Sequence, residues 1–94
     1  MNRSTAIKYS NILSILAEPE YLMILDMLME ENDYVSTNDL SDATDITERK
    51  VVNYCENLQK LGIVTQDNRN DLTYYKFTNS SNSRMIEVIW SKLF

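Results

Sequence analysis

The segment Asp45-Ile-Thr-Glu-Arg-Lys-Val-Val-Asn-Tyr-Cys-Glu-Asn-Leu-Gln-Lys-Leu-Gly-Ile-Val64 fits one regular structure better than any other. At 100° per residue, Val51, Cys55, Leu58 and Gly62 fall on one stripe, with Tyr54 and Leu61 at its edge. Arg49, Val52, Asn53, Glu56 and Lys60 take the opposite stripe. Thr47 can cap the start with its hydroxyl, and Glu48 suits the positive end of the helix dipole. Gly62 is the only glycine in the chain and supplies a left-handed stop. The spacing predicts a short amphipathic helix with a polar, partly cationic free face, followed by an extended run from Ile63.

Ninety-four residues leave room for one domain, 1–94, with a modest core. With 44% hydrophobic residues the chain is of globular type, and one glycine and one proline favour helices on short connections. No apolar run approaches the roughly 18–20 residues that span a bilayer. The polar Met1-Asn-Arg-Ser start lacks the apolar core of a signal peptide, so a cytoplasmic protein without membrane contact is expected.

The single cysteine can form no internal disulfide, and the absence of histidine removes the usual zinc donors. Cys55, on the apolar stripe, reads as a small core hydrophobe. There is also no nucleophile motif and no glycine-rich phosphate loop. No enzyme, metal site or cofactor is expected.

The net charge of −5 argues against a nucleic-acid partner until its distribution is considered. Between Lys8 and Arg49 there is no basic residue, while that span carries Glu18, Glu20, Asp26, Glu30, Glu31, Asp33, Asp39, Asp42, Asp45 and Glu48. From Arg49 onward Arg49, Lys50, Lys60, Arg69, Lys76, Arg84 and Lys92 face only Glu56, Asp67, Asp71 and Glu87. The acidic half reads as a solvated face that is also open to a basic protein partner.

Residues 3–17 suggest a first helix with Ile12, Leu13 and Leu16 near one face. Pro19 suits the first turn of a second helix running to about Glu31, with Leu22, Ile24, Leu25, Leu28 and Met29 on its apolar side. Asn32-Asp33 is turn chemistry and Tyr34-Val35 a very short strand. Ser36 or Thr37 caps a third helix to about Ala43 with Leu40 inward, and Ile46 plugs the turn that follows Thr44-Asp45. Ile63–Asp67 and Leu72–Thr78 are rich in β-branched and aromatic residues, joined by turn-forming Asp67–Asp71. They predict a hairpin over 63–78. The serines within 79–83 cap a last helix to Phe94 that is apolar around most of its circumference.

Three segments, in order, resemble the ArsR-type winged helix-turn-helix regulators. Leu16-Ala-Glu-Pro-Glu-Tyr-Leu-Met-Ile-Leu-Asp-Met-Leu28 is similar to the family's "LADPTRLRILRLL", Ile46–Val64 to its "LSxSTVSRHLKxLxxAGLV", and Tyr74-Tyr75-Lys76 to the "YYR" of its second wing strand. The fold implied is a mainly α winged helix-turn-helix of α+β class, with five helices and a two- or three-stranded wing. The function implied is a homodimeric regulator, of repressor type, that reads double-stranded DNA with helix 47–61 in the major groove and wing 63–78 on the flanking backbone. By position, Thr47, Arg49, Lys50, Asn53 and Tyr54 would face the groove and Arg69 the wing tip. The outer helices, about 3–17 and 83–94, would form the dimer interface, with Ile12, Leu16, Ile86, Ile89, Trp90, Leu93 and Phe94 its apolar contacts.

Side-chain chemistry adds detail. Arg49 suits a guanine edge or a phosphate, Asn53 an adenine and Val52 a thymine methyl. Tyr74 and Tyr75 alternate across a strand, so one packs inward and the other offers its hydroxyl to a phosphate; Tyr75 joins the DNA-facing set. The family pattern also breaks. Where metal-sensing members hold a cysteine pair, this chain reads Ser36-Thr-Asn-Asp-Leu40, so no metal sensing is implied. Family arginines become Tyr21, Met23, Asp26 and Asn53, which lowers the electrostatic share of DNA affinity. The competing reading is a winged-helix scaffold that binds another protein and little or no DNA.

Overall fold

The computed structural model describes all 94 residues, as five helices and a three-stranded sheet. Helix α1 (Arg3–Leu16) begins where Asn2 Oδ1 accepts the Thr5 N–H at 2.8 Å, filling one of the orphan donors of the first turn. Helix α2 (Pro19–Glu31) places Pro19 in its first turn and stops at Asn32, which takes left-handed backbone with φ 53°. Strand β1 (Val35–Ser36) leads directly into α3 (Thr37–Thr44), capped by Ser36 Oγ on the Asp39 N–H at 3.0 Å.

Asp45, at φ 57°, turns the chain toward α4 (Glu48–Lys60), and Ile46 sits buried beneath that turn. Thr47 Oγ1 accepts the Lys50 N–H to open α4. At the other end Gly62, at φ 73°, donates to the Gln59 carbonyl and Ile63 donates to the Leu58 carbonyl, both at 2.9 Å. That is a Schellman stop, with Ile63 and Leu58 both fully buried beside it. Val51, Cys55 and Leu58 form the buried stripe of α4, as the periodicity requires. Sinking Val51 or Leu58 contributes about 1.5–3 kcal/mol each.

Strands β2 (Val64–Arg69) and β3 (Leu72–Phe77) pair antiparallel, and β1 adds to the far edge of β3, giving the order β1-β3-β2. The hairpin closes through Asn70 and Asp71, both at positive φ, the backbone that matches strand twist in a two-residue turn. Helix α5 (Ser81–Leu93) starts two residues earlier than the sequence suggested, because Ser80 is the serine that caps it, through the Ser83 N–H at 3.1 Å. No helix is long and apolar enough to cross a membrane.

One cluster of seventeen buried side chains joins all five helices to the sheet. It corrects two expectations for the outer helices. Of Ile12, Leu13 and Leu16, grouped from sequence on one face of α1, only Ile12 is fully buried, with Ile15 beside it, while Leu16 is partly covered and Leu13 is 55% exposed. Ile12 and Ile86, assigned from sequence to a subunit contact, are 1% and 0% exposed within the single chain. They are core residues with no surface left to offer a second copy. An apolar helix periodicity locates a stripe but does not say which stripe the chain covers by itself.

Candidate nucleic-acid interface

Helix α4 is fixed on one side and free on the other. On the fixed side the Tyr54 hydroxyl donates to Glu20 Oε1 at 2.7 Å, and Asn57 Nδ2 donates to the Tyr21 hydroxyl at 2.9 Å. The Tyr21 and Tyr54 rings meet edge to face with centroids 4.4 Å apart, a favourable arrangement of their quadrupoles. The bond to the Glu20 carboxylate, followed by burial, pushes the Tyr54 phenol up to about 12. Tyr54 therefore turns toward α2, which removes it from the groove-facing set: its hydroxyl is spent on a neighbouring helix. Beneath it Cys55 is buried, and burial pushes its thiol up to about 12.

On the free side Thr47, Arg49, Lys50, Asn53, Glu56 and Lys60 are exposed and Val52 is half-buried. Neither Arg49 nor Lys50 has an ion-pair partner; the one salt bridge in the chain joins Arg69 to Asp67. Glu48, the carboxylate closest to them in sequence, accepts the Thr37 hydroxyl at 2.9 Å and is thereby engaged with the start of α3. The cationic end of this free face of α4 stays open.

The wing is arranged differently from the sequence expectation. Arg69 does reach the hairpin tip, but its Nε lies 2.6 Å from Asp67 Oδ2. Its guanidinium carbon stands 5.0 Å from the Tyr34 ring centroid and 5.4 Å from that of Tyr74. The Asp67 contact raises the Arg69 pKa further, so its charge is permanent. Lys76 Nζ is also 5.7 Å from the Tyr34 ring. Tyr34, which sequence reasoning placed only in a short strand, is thus a shared platform for both wing cations.

Tyr75 is 1% exposed and belongs to the core, so it offers no hydroxyl to a phosphate. Burial pushes its phenol up to about 12. Tyr74, on the opposite face of β3, is the partly exposed member of the pair. The sequence held the deciding signal: Tyr75 has the parity of Phe77, and two large apolar-bodied residues on one strand face mark the inward side.

No curated protein matches the chain by sequence. Among solved structures, NolR from Sinorhizobium fredii superposes with a TM-score of 0.78 at 18% identity, over 100% of this chain and 94% of that one. HlyU from Vibrio cholerae N16961 gives 0.76 at 22% identity, over 95% and 94%. A homodimeric winged helix-turn-helix DNA-binding domain from Mycobacterium bovis, described as a possible ArsR-family transcriptional regulator, gives 0.78 at 18% identity, over 99% and 86%. Likeness at these identities speaks for the fold, which is a winged helix-turn-helix. A protein-family model described as HTH domain matches residues 22–75, from Leu22 in α2 through the inward Tyr75 of β3. With more than half its length matched by that model, the chain belongs to the HTH-domain family.

Proposed function

We propose that the protein is an ArsR-type transcriptional regulator that binds double-stranded DNA as a homodimer, with α4 in the major groove and the β2–β3 wing on the flanking backbone. The observation that carries this reading is the open pair Arg49 and Lys50 on a helix whose other side is clamped to α2. A rigidly held helix with unpaired cations and Asn53 on its outer face suits bidentate base contacts and phosphate contacts together. Dimerisation draws on the exposed apolar residues of the outer helices: Ile7 and Leu13 on α1, Val88 and Leu93 on α5, with partly covered Leu16 and Ile89 beside them. The Mycobacterium bovis neighbour is itself homodimeric, which supports the same assembly here.

Fluorescence anisotropy on labelled duplexes at two salt concentrations tests the proposal. Binding should weaken steeply with salt, and the double variant Arg49→Ala/Lys50→Ala should lose most of it. Undiminished binding by that variant would remove α4 from the groove.

The scaffold reading keeps one supporting observation. Arg69 is neutralised by Asp67 at the wing tip, in a chain of net charge −5, so the wing adds little attraction for phosphate. No measurable DNA affinity at low salt, with the fold intact, would select this alternative. The acidic face of α2 and α3 would then be the surface for a basic protein partner.

A further inference from the structure

Helix α5 has two apolar flanks. Met85 and Ile89 line a groove against Tyr9 and Leu13 of α1. Trp90 and Phe94, one turn apart, look the other way and line a separate groove of about 430 Å³ with Pro19, Leu22, Met23 and Asp26 of α2. The spacing of those α2 residues, i, i+3, i+4 and i+7, puts them on a single stripe. On a solvated helix that stripe would be polar. Here Met23 is 45% exposed and Phe94 77% exposed, so apolar surface is left facing solvent.

The groove has the size and lining of a small-molecule site, with one polar group where orientation would be set. That group is the Asp26 carboxylate, which has no cationic partner. Glu30 lies one turn further along the same helix face, an unfavourable like-charge spacing, and shares a second shallow groove with Asp26 and Met23. No basic residue occurs anywhere from Tyr9 to Glu48, and Lys92 sits about 160° around α5 from Trp90 at helical spacing. The two rings opposite are close, with centroids 4.8 Å apart and planes tilted by 44°. Aromatic faces beside an unpaired carboxylate attract an organic cation and disfavour an anion of the same shape.

We propose that the α2–α5 groove is a binding site for a hydrophobic organic cation, held by the Trp90 and Phe94 rings and the Asp26 carboxylate. The choice of a cation over a second copy of the chain rests on this charge asymmetry. A self-association patch here would bring Asp26 and Glu30 of two copies into the same acidic neighbourhood. The α1–α5 flank carries no such carboxylate among its lining residues.

Trp90 is the only tryptophan, so intrinsic fluorescence reports directly on the groove. Titration of the full chain with tetraphenylphosphonium should give saturable quenching. Tetraphenylborate, with the same four phenyl rings and the opposite charge, should bind at least about tenfold more weakly. Asp26→Asn, an exposed and conservative change, should weaken the cation about five- to tenfold and narrow its advantage over the anion. Equal responses to both ions, or an Asp26→Asn variant that binds the cation unchanged, would overturn the proposal. So would sedimentation showing that Met23→Glu or Phe94→Ala splits a dimer while tetraphenylphosphonium leaves Trp90 unquenched, because a second copy would then occupy the groove.

Discussion

The Tyr54 hydroxyl donates to the Glu20 carboxylate at 2.7 Å, joining α4 to the first turn of α2. With the Asn57–Tyr21 bond and the edge-to-face ring pair, it fixes the rotation of α4 about its own axis. That rotation determines whether Arg49 and Asn53 point outward together. In the proposed function Tyr54 is therefore a positioning residue, acting only through the helix that carries it.

Tyr54→Phe should keep the ring contact and lose only the hydrogen bond. We expect about 1 kcal/mol of lost stability, read as a lower denaturant midpoint. DNA affinity should fall modestly and uniformly across sequences. A change of base preference at a single operator position would instead make Tyr54 a direct reader.

Stability should decline at alkaline pH. Tyr54, through its bond to Glu20 and then burial, and Cys55 and Tyr75, through burial, all hold their protons up to about 12, against ordinary values of 10.0 for the phenols and 9.0 for the thiol. The folded state binds protons that the unfolded chain releases. Their stabilisation is complete below the ordinary values and is lost as pH rises through the folded ones. Urea midpoints should thus stay flat with respect to these groups up to about pH 9 and fall beyond it. Tyr54→Phe should remove part of that slope.

Freeing Arg69 should strengthen DNA binding. Asp67→Asn removes the carboxylate now holding the guanidinium at 2.6 Å. Affinity at low salt should rise about two- to fivefold and the salt slope should steepen by about one counterion. Arg69→Ala in the same background should cancel both gains, and a failure to cancel would place the effect elsewhere in the wing.

Gly62→Ala should cost stability through the backbone alone. A Cβ at this position would meet Ser80 Oγ at 3.8 Å and Ser80 Cβ at 4.0 Å, ordinary contact distances. The φ of 73° nevertheless penalises any side chain by about 1 kcal/mol. Thermal unfolding should show that loss with an unchanged circular dichroism spectrum. A larger loss would mean that the Schellman stop itself had rearranged.

Leu13→Glu should separate assembly from folding. Leu13 is 55% exposed in the single chain, so a charge there is tolerated by the monomer. On the proposed dimer surface it would be buried, and sedimentation should show a shift to monomer with helix content preserved. A dimer that survives Leu13→Glu would have to use other surfaces.

Local rules determined the elements. Caps at Ser36, Thr47 and among the serines within 79–83, Pro19 in a first turn, the glycine stop and the β-branched runs are all short-range signals, and each element formed at or near where they pointed. The outward face of α4 was legible for the same reason, since its 3.6-residue period has only one apolar stripe. Side-chain partners were not legible. That Tyr54 bonds Glu20, that Arg69 folds onto Asp67 and Tyr34, and that Ile12 and Ile86 are buried within the chain depend on which elements meet. A period gives each residue a direction around its own axis. Only the packing of five helices on one sheet decides what stands in that direction, and whether it is water, a carboxylate or the core.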